Sequence, residues 1–287
     1  MEATEGDSVE VLAKSDGPAR KLVADGGVAE GFRIGIARAA DSEAIDSFDQ
    51  IDDAVRKIEE LDGPANRRAK LLVSETDGAG VKLVDELDST DLRTLFESVD
   101  SRETLARLSR QFEEGTVESR HLDEITNLLD SGDMDGADLG RFSRIIASEG
   151  NGPDIEGDLT TDDILTVAER GELSDTLLVV SDGEGRIRWL EFNEGEPVGF
   201  DKILSKHESE IYRQYSSINS QEDIKQLIKE AIKNSDSDDV IVKLNPDGGK
   251  RYYLNVEEGS YPLRVATSEN GFILSAHPDR DAKGMFD

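Results

Sequence analysis

Residues 250–279, KRYYLNVEEGSYPLRVATSENGFILSAHPD, decide the fold of the last third of the chain. Their alternating β-type runs predict strands over residues 251–256, 263–267 and 272–276, separated by turn sequences rich in Gly, Glu, Ser and Asn. Two Arg, three Tyr and a His are distributed through this stretch. It therefore predicts an antiparallel sheet that carries aromatic and cationic side chains.

The residues upstream of this stretch supply more strands and two helices. A hairpin is predicted around the turn SDGEG, a helix over 200–215 and a further strand over 240–244. Ser220 and Asp223 have the spacing of a capping box at the start of a second helix. Helices packed on an antiparallel sheet predict an α+β domain over residues 172–287.

The preceding residues predict an acidic, mostly helical domain over 46–171. Apolar side chains recur there at the spacing of one helix face, and Asp88 and Ser101 are in N-cap positions before two of these helices. Residues 1–45 predict a weakly structured acidic segment, and GFRIGIARA within it is a β-like run. The whole chain is thus expected to be α+β, helical first and mixed later.

The charge of −31 is unevenly distributed along the chain. Lys and Arg number 21 against 48 Asp and Glu in residues 1–200, but 12 against 16 in residues 201–287. The composition is typical of proteins from salt-accumulating halophiles, so the acidity itself indicates no partner. The nearly neutral last third is then the part suited to an anionic ligand.

Several site types and locations are disfavoured by composition. The chain has no Cys and three His, so we expect neither disulfides nor a metal site, and no cofactor motif is found. The acidic N-terminus lacks the features of a signal peptide, and no run approaches the length of a membrane span. We expect a soluble protein, cytoplasmic or exported by a non-classical or particle-borne route.

The order of short motifs in residues 172–287, about 40% of the chain, resembles a known family. The motifs are Arg188-Trp189-Leu190, Gly199-Phe200-x-x-Ile203-Leu204-x-Lys206-His207, a Tyr-bearing strand, Leu263-Arg264-Val265 and Gly271-Phe272-Ile273-Leu274-Ser275-Ala276-His277-Pro278. This order is similar to nuclease toxin domains of the barnase, EndoU, colicin and RelE-like superfamily, found in polymorphic toxins and phage-related proteins. Ser275 stands where that family usually has Thr, and His277 where Tyr is common.

The resemblance implies a toxin whose C-terminal domain is a metal-independent endoribonuclease acting on RNA, tRNA included, with a cognate immunity protein or antitoxin as partner. Attack by a ribose 2′-hydroxyl requires a base, an acid and cations for the phosphate charge. His and Arg supply these roles, and Tyr stacks on bases. The candidate catalytic residues are His207, His277, Arg251, Arg264 and Ser275, and the candidate substrate-binding residues are Lys206, Lys250, Tyr252, Tyr253 and Tyr261.

Structural interpretations of the same residues stay open. His207 fits a core position on an apolar helix face, and the sheet arginines fit solvated positions. Alternation sends one of Tyr252 and Tyr253 to the core, and Trp189 is expected to be a core residue. The alternative function is a non-catalytic module, either a structural protein of a virion or particle or an RNA-binding regulator.

Overall fold

The structure, a computed structural model, describes residues 30–40, 42, 45–147, 154–156 and 159–286. The chain divides into two compact units, Met1–Ala147 and Ser148–Asp287. The described part of the first unit is helical, and the second combines helices with sheets, which confirms the predicted α+β class. No helix in the described ranges is both long and apolar enough to cross a bilayer.

Eight helices form the described part of the N-terminal unit, and they bury apolar side chains along one face. They are α1 Glu30–Ala40, α2 Phe48–Glu60, α3 Gly63–Thr76, α4 Gly78–Glu86, α5 Ser89–Ser98, α6 Arg102–Glu113, α7 Ser119–Ser131 and α8 Gly136–Ile146. Asp88 and Ser101 are the N-caps of α5 and α6, and their side chains accept hydrogen bonds from backbone N–H groups, as predicted. Lys57 donates to the Leu87 carbonyl at 2.9 Å and so satisfies an acceptor at the end of α4.

Helix α1 shows that the β-like interpretation of residues 31–39 was wrong. Phe32, Ile36 and Ala39 are buried at helical spacing. A Cβ on Gly35 would lie 2.4 Å from the Val73 carbonyl oxygen, so α1 approaches α3 more closely than a larger residue permits. A short run of alternating small and apolar residues fits both the strand and the helix periodicity, and packing on α3 favours the helix. Residues 1–29, 41, 43 and 44 of the predicted weakly structured segment lie outside the described residues.

The boundary between the units lies after Ala147, 24 residues before the predicted end of the helical domain at residue 171. Helix α9, Thr161–Arg170, belongs to the C-terminal unit. The segment before α9 is joined to the C-terminal unit by strand β1, Asp154–Glu156, which pairs in parallel with β2, Thr176–Ser181. A three-residue strand inside a Gly- and Asp-rich stretch has no sequence pattern that separates it from a linker.

The C-terminal unit contains every strand and both helices predicted for it. After β2 follow β3 Ile187–Glu191, α10 Gly199–Gln214, α11 Gln221–Lys233, β4 Val240–Leu244, β5 Lys250–Leu254, β6 Leu263–Thr267 and β7 Ile273–Pro278. Ser220 and Asp223 form the predicted capping box of α11. The strands make a three-stranded sheet, β1-β2-β3, and a four-stranded antiparallel sheet, β4-β5-β6-β7. The two sheets meet where the backbone N–H of Trp189 donates to the Gly271 carbonyl at 3.3 Å.

The four-stranded sheet has one buried face and one partly open face. Tyr252, Val265 and Ala276 are neighbours across β5, β6 and β7, and all are fully buried in a core shared with α10 and α11. The intervening residues point the other way. We call this second side the outer face, and its central rows are Ile241–Tyr253–Arg264–His277 and Lys243–Arg251–Ala266–Ser275.

Candidate active site

Two histidines stack where α10 lies against β7. The rings of His207 and His277 have centroids 4.7 Å apart and planes inclined by 25°. His207 is one helical turn from both Ile203 and Ile211, which are fully buried, so the core packing of α10 also fixes this imidazole. His277 follows buried Ala276 on β7 and therefore belongs to the outer face. A helix and a strand from distant parts of the sequence thus build one site.

Arg264 completes the centre of the site. It is the register partner of His277 on the neighbouring strand, and its Nη1 donates to Oδ2 of Asp279 at 3.2 Å. Among the described residues, its buried Nε has no hydrogen-bond partner, and neither does the buried Nδ1 of His207 or of His277. Buried polar atoms without partners are rare in folded proteins. Three of them on three neighbouring residues indicate hydrogen-bonding capacity that a ligand can use.

Glu210 lies on the same side of α10 as His207, three residues later. Its Oε2 is 3.8 Å from Nδ1 of His207, beyond hydrogen-bond distance but close enough for electrostatic attraction. Its Oε1 accepts a hydrogen bond from Nη2 of Arg280 at 3.3 Å. The histidine pair therefore has two carboxylate neighbours, Glu210 and Asp279, each paired with an arginine.

The environment of His277 favours the neutral imidazole. Burial lowers its pKa to about 4, with the positive charge of Arg264 and the contact with His207 acting in the same direction. The carboxylates of Asp279 and Glu210 oppose this change but do not cancel it. His277 is therefore uncharged at neutral pH and has a ring nitrogen that can accept a proton.

His207 has a carboxylate close to one of its ring nitrogens. Burial lowers the pKa of His207, and Lys202 and Lys206 on the same helix act in the same direction. Glu210, 3.8 Å from Nδ1, opposes this change and so supports the protonated form of His207. The two rings are thus in contact but have unlike electrostatic surroundings, an arrangement that separates acid and base roles.

The other predicted catalytic residues lie on the same face but are not in this contact. Ser275 is two residues before His277 on β7 and is partly buried. Arg251 is exposed on β5, with Ala266 of β6 between it and Ser275 in the same row. Two strand spacings separate Arg251 from Ser275, about 10 Å.

Three predicted substrate-binding residues lie on α10, on β5 and before β6. Lys206 is exposed on α10 beside His207. Tyr253 is the register partner of Arg264 and is only 5% exposed, and Lys243 Nζ lies 5.4 Å from its ring centroid. Tyr261 precedes β6 and is partly buried, with Lys283 Nζ 5.9 Å from its ring centroid. Burial of Tyr253 and partial burial of Tyr261 limit the use of both rings as open stacking platforms.

Lys250 and Tyr252 correct the predicted substrate-binding set. Both are buried on the core face, the side opposite to Arg251 and Tyr253. Lys250 Nζ and the Tyr252 hydroxyl donate to Oδ2 of Asp182 at 3.0 and 2.8 Å. Alternation along β5 turns every second side chain inward, so these two are structural residues of a buried polar cluster.

Sequence reasoning missed Glu210, Asp279 and Lys243. Glu210 follows His207 by three residues, and Asp279 follows His277 by two, so helix and strand periodicity could have placed both near the site. Lys243 is different, because its place beside Arg251 depends on the register between β4 and β5. A single sequence does not fix that register.

A pocket of about 350 Å³ lies elsewhere in the unit, lined by residues of the 217–258 segment and by none of the three residues at the centre of the site. Leu227 and Leu254 contribute apolar surface, while Glu230, Glu257 and Glu258 contribute carboxylates. Its acidic lining is unsuited to an anionic ligand. We therefore place the candidate site at the histidine pair.

A scan against models of known protein families finds no match, and a search of curated proteins finds none either. Within the described ranges, no group of three or more His, Cys, Asp or Glu side chains is arranged to hold a metal ion. Function must be inferred from the chemistry of the site itself.

Proposed function

We propose that the C-terminal unit is a metal-independent endoribonuclease, which cleaves RNA by attack of a ribose 2′-hydroxyl on the adjacent phosphorus. One observation carries the proposal. Two imidazoles and an arginine meet at a partly open sheet face, and Nδ1 of His207, Nδ1 of His277 and Nε of Arg264 all lack hydrogen-bond partners among the described residues. The reaction needs a proton acceptor, a proton donor and a cation, and these side-chain types supply all three.

His277 fits the role of general base. Its low pKa keeps the ring neutral, so the ring accepts the 2′-hydroxyl proton as the oxygen attacks phosphorus. An imidazole of such low pKa is a weak base in the free protein. The negative charge of a bound phosphodiester raises the pKa of a nearby imidazole and so improves it as a base once the substrate is in place.

His207 fits the role of general acid. Glu210, 3.8 Å from its Nδ1, stabilises the imidazolium that must donate a proton to the leaving 5′-oxygen. Arg264 fits the role of phosphate ligand, because its guanidinium presents several donors in one plane and its Nε is unused. A phosphate that binds there competes with the Asp279 carboxylate for Arg264 Nη1.

RNA binding without cleavage, by a regulator or a particle protein, is the second candidate. It is favoured by the ion pair of Arg264 with Asp279 and by the cover on Tyr253, since both features occupy groups that a nuclease would present to its substrate. In that case the outer face would hold RNA while the histidines remain structural.

Incubation of the purified full-length protein with total RNA, in molar KCl with a chelator, tests the proposal. We expect wild type to produce fragments ending in 2′,3′-cyclic phosphate, and His207→Ala and Arg264→Ala to lose at least about 100-fold in rate. Lys233→Gln, an exposed change on α11, is the matched control and should cleave as wild type does. Intact RNA with wild type, or equal cleavage by all variants, would falsify the nuclease assignment.

The same proposal extends to a toxin or effector that requires a cognate immunity protein or antitoxin. Expression of the full chain in a halophilic host should then arrest growth, and expression of His207→Ala should not. Equal growth with both forms would argue against toxicity and in favour of the binding role.

A further inference from the structure

The outer face continues beyond the histidine pair as a row of cations. Arg251 on β5 and Lys243 on β4 are register partners, and Arg251 is diagonal to Arg264 on the neighbouring strand. Directly opposite side chains in a sheet are about 5 Å apart at Cβ, and diagonal ones about 7–8 Å. The three cations therefore form a line across the strands that begins beside His277.

A line of cations without carboxylates is unusual in such an acidic chain. Asp and Glu outnumber Lys and Arg by 64 to 33 in the whole sequence. The eight residues of the two central rows of the outer face include Lys243, Arg251 and Arg264 but no carboxylate. Lys243 and Arg251 are both exposed, and neither forms an ion pair with any described residue.

We propose that Lys243 and Arg251 form a subsite for backbone phosphates of single-stranded RNA, adjacent to the phosphate that reacts at the histidine pair. This inference rests on the proposed function, since it extends the same bound strand across β6, β5 and β4. Two strand spacings separate Arg264 on β6 from Lys243 on β4, so the line of cations is about 10 Å long, which is longer than one nucleotide. Long, flexible cationic side chains can follow successive phosphates of such a strand.

Phosphodiester chemistry fits the line better than an acidic protein does. A protein interface has an apolar centre surrounded by polar groups. Here the apolar members of the rows, Ile241 and Ala266, are partly buried and separated by cations. A repeating anion satisfies a line of like charges without any apolar contact, and single strands have the flexibility that in-line attack requires.

The test measures binding of 2′-O-methyl oligouridylates, which lack the attacking hydroxyl, to the full-length protein over a series of KCl concentrations. We expect the double variant Lys243→Gln/Arg251→Gln to bind the octanucleotide roughly tenfold more weakly than wild type at low salt. The slope of log K against log[salt] should decrease in magnitude by about 1.4, because each of the two lost phosphate contacts contributes about 0.7. A dinucleotide reaches only the histidine pair, so its binding should not change.

Lys229→Gln/Lys233→Gln is the control of equal charge change, because both lysines are on α11, which packs on the opposite face of the sheet. Unchanged octanucleotide affinity in the Lys243→Gln/Arg251→Gln variant, or no octanucleotide binding by wild type, would overturn the subsite. Equal affinity for polyglutamate, lost in the same variant, would also overturn it in favour of an acidic protein partner. Normal octanucleotide binding without cleavage of unmodified RNA would retain the subsite and reject the nuclease.

Discussion

His207 and His277 stack at 4.7 Å, although they are separated by 70 residues in the sequence and come from a helix and a strand. Two imidazoles in contact repel each other when both are protonated, so their titrations are coupled. Arg264 adds a further positive charge beside His277. The geometry therefore admits a first proton more readily than a second, and Glu210 beside His207 favours that ring as the one that takes it.

The low pKa of His277 predicts acid sensitivity of the C-terminal unit. In the unfolded chain this ring takes up a proton near pH 6.5, but in the folded protein only near pH 4. Because the unfolded state binds more protons between these values, stability should decrease as the pH falls through this window. His277→Gln removes that proton uptake and should flatten the dependence. Urea unfolding followed by the fluorescence of the single tryptophan, Trp189, reports on this unit. Parallel profiles for the two proteins would contradict the prediction.

Glu210→Gln should make His207 harder to protonate. The carboxylate lies 3.8 Å from Nδ1 of His207 and raises its pKa against the effect of burial, so a neutral amide should lower that pKa further. Histidine side-chain NMR during a pH titration measures this directly in the absence of RNA. Glu208→Gln is the control, because Glu208 on the same helix accepts from Tyr212 instead. Under the proposed ribonuclease mechanism, Glu210→Gln should move the alkaline limb of the rate profile to lower pH, and a uniform rate loss would mean a purely structural role.

Asp279→Asn should strengthen the binding of anions at the site. Its carboxylate pairs with Arg264 at 3.2 Å and is the group that a phosphate must displace. Loss of one partly exposed ion pair should increase phosphate or oligonucleotide affinity by about threefold to tenfold, which corresponds to about 1 kcal/mol. Asp281→Asn, at an exposed position two residues later, is the control. Weaker binding by Asp279→Asn would show instead that Asp279 holds Arg264 in its binding geometry.

Periodicity was sufficient to predict strands β2–β7 and the helices of the C-terminal unit, because each has a buried or half-buried pattern bounded by turn or cap residues, but β1 has no such pattern. It also predicted that Tyr252 and Tyr253 face opposite sides, but not which of them faces the core. That choice depends on the face that α11 covers, and this is a tertiary contact. For the same reason the sequence did not show that Lys250, predicted to bind substrate, faces the core while its neighbour Arg251 is exposed.

The sequence was sufficient to name the residues at the centre of the site, but not to predict that they are in contact. His207, His277 and Arg264 were all candidates from residue type and motif order, while their contact depends on the docking of α10 against β7. The partners Glu210 and Asp279 were missed because acidic residues are abundant throughout this chain. In such a composition a carboxylate near a histidine in sequence carries little information by itself.

A buried polar cluster links the β2–β3 turn to β5 behind the outer face. Asp182 is its centre, and its side chain accepts hydrogen bonds from Arg188, Lys250 and Tyr252 and from backbone N–H groups of its own turn. Burial alone would raise the pKa of Asp182, but these hydrogen bonds and the charge of Arg188 outweigh it and lower the pKa to about 2. The ionised carboxylate thus neutralises cations inside the unit.

Asp182→Asn should destabilise the C-terminal unit by about 3–5 kcal/mol, because it leaves buried Arg188 without a counter-charge and leaves Lys250 paired only with the exposed Glu184. The folded-state pKa lies below the unfolded value of 3.8, so the contribution of Asp182 is present above that value and is lost as the pH falls toward 2. Urea unfolding at neutral pH, monitored through Trp189, should therefore show the full loss. Asp238→Asn, at an exposed position, should unfold as wild type does. A change below about 1 kcal/mol in Asp182→Asn would mean that the two cations are solvated or rearranged when the carboxylate is removed.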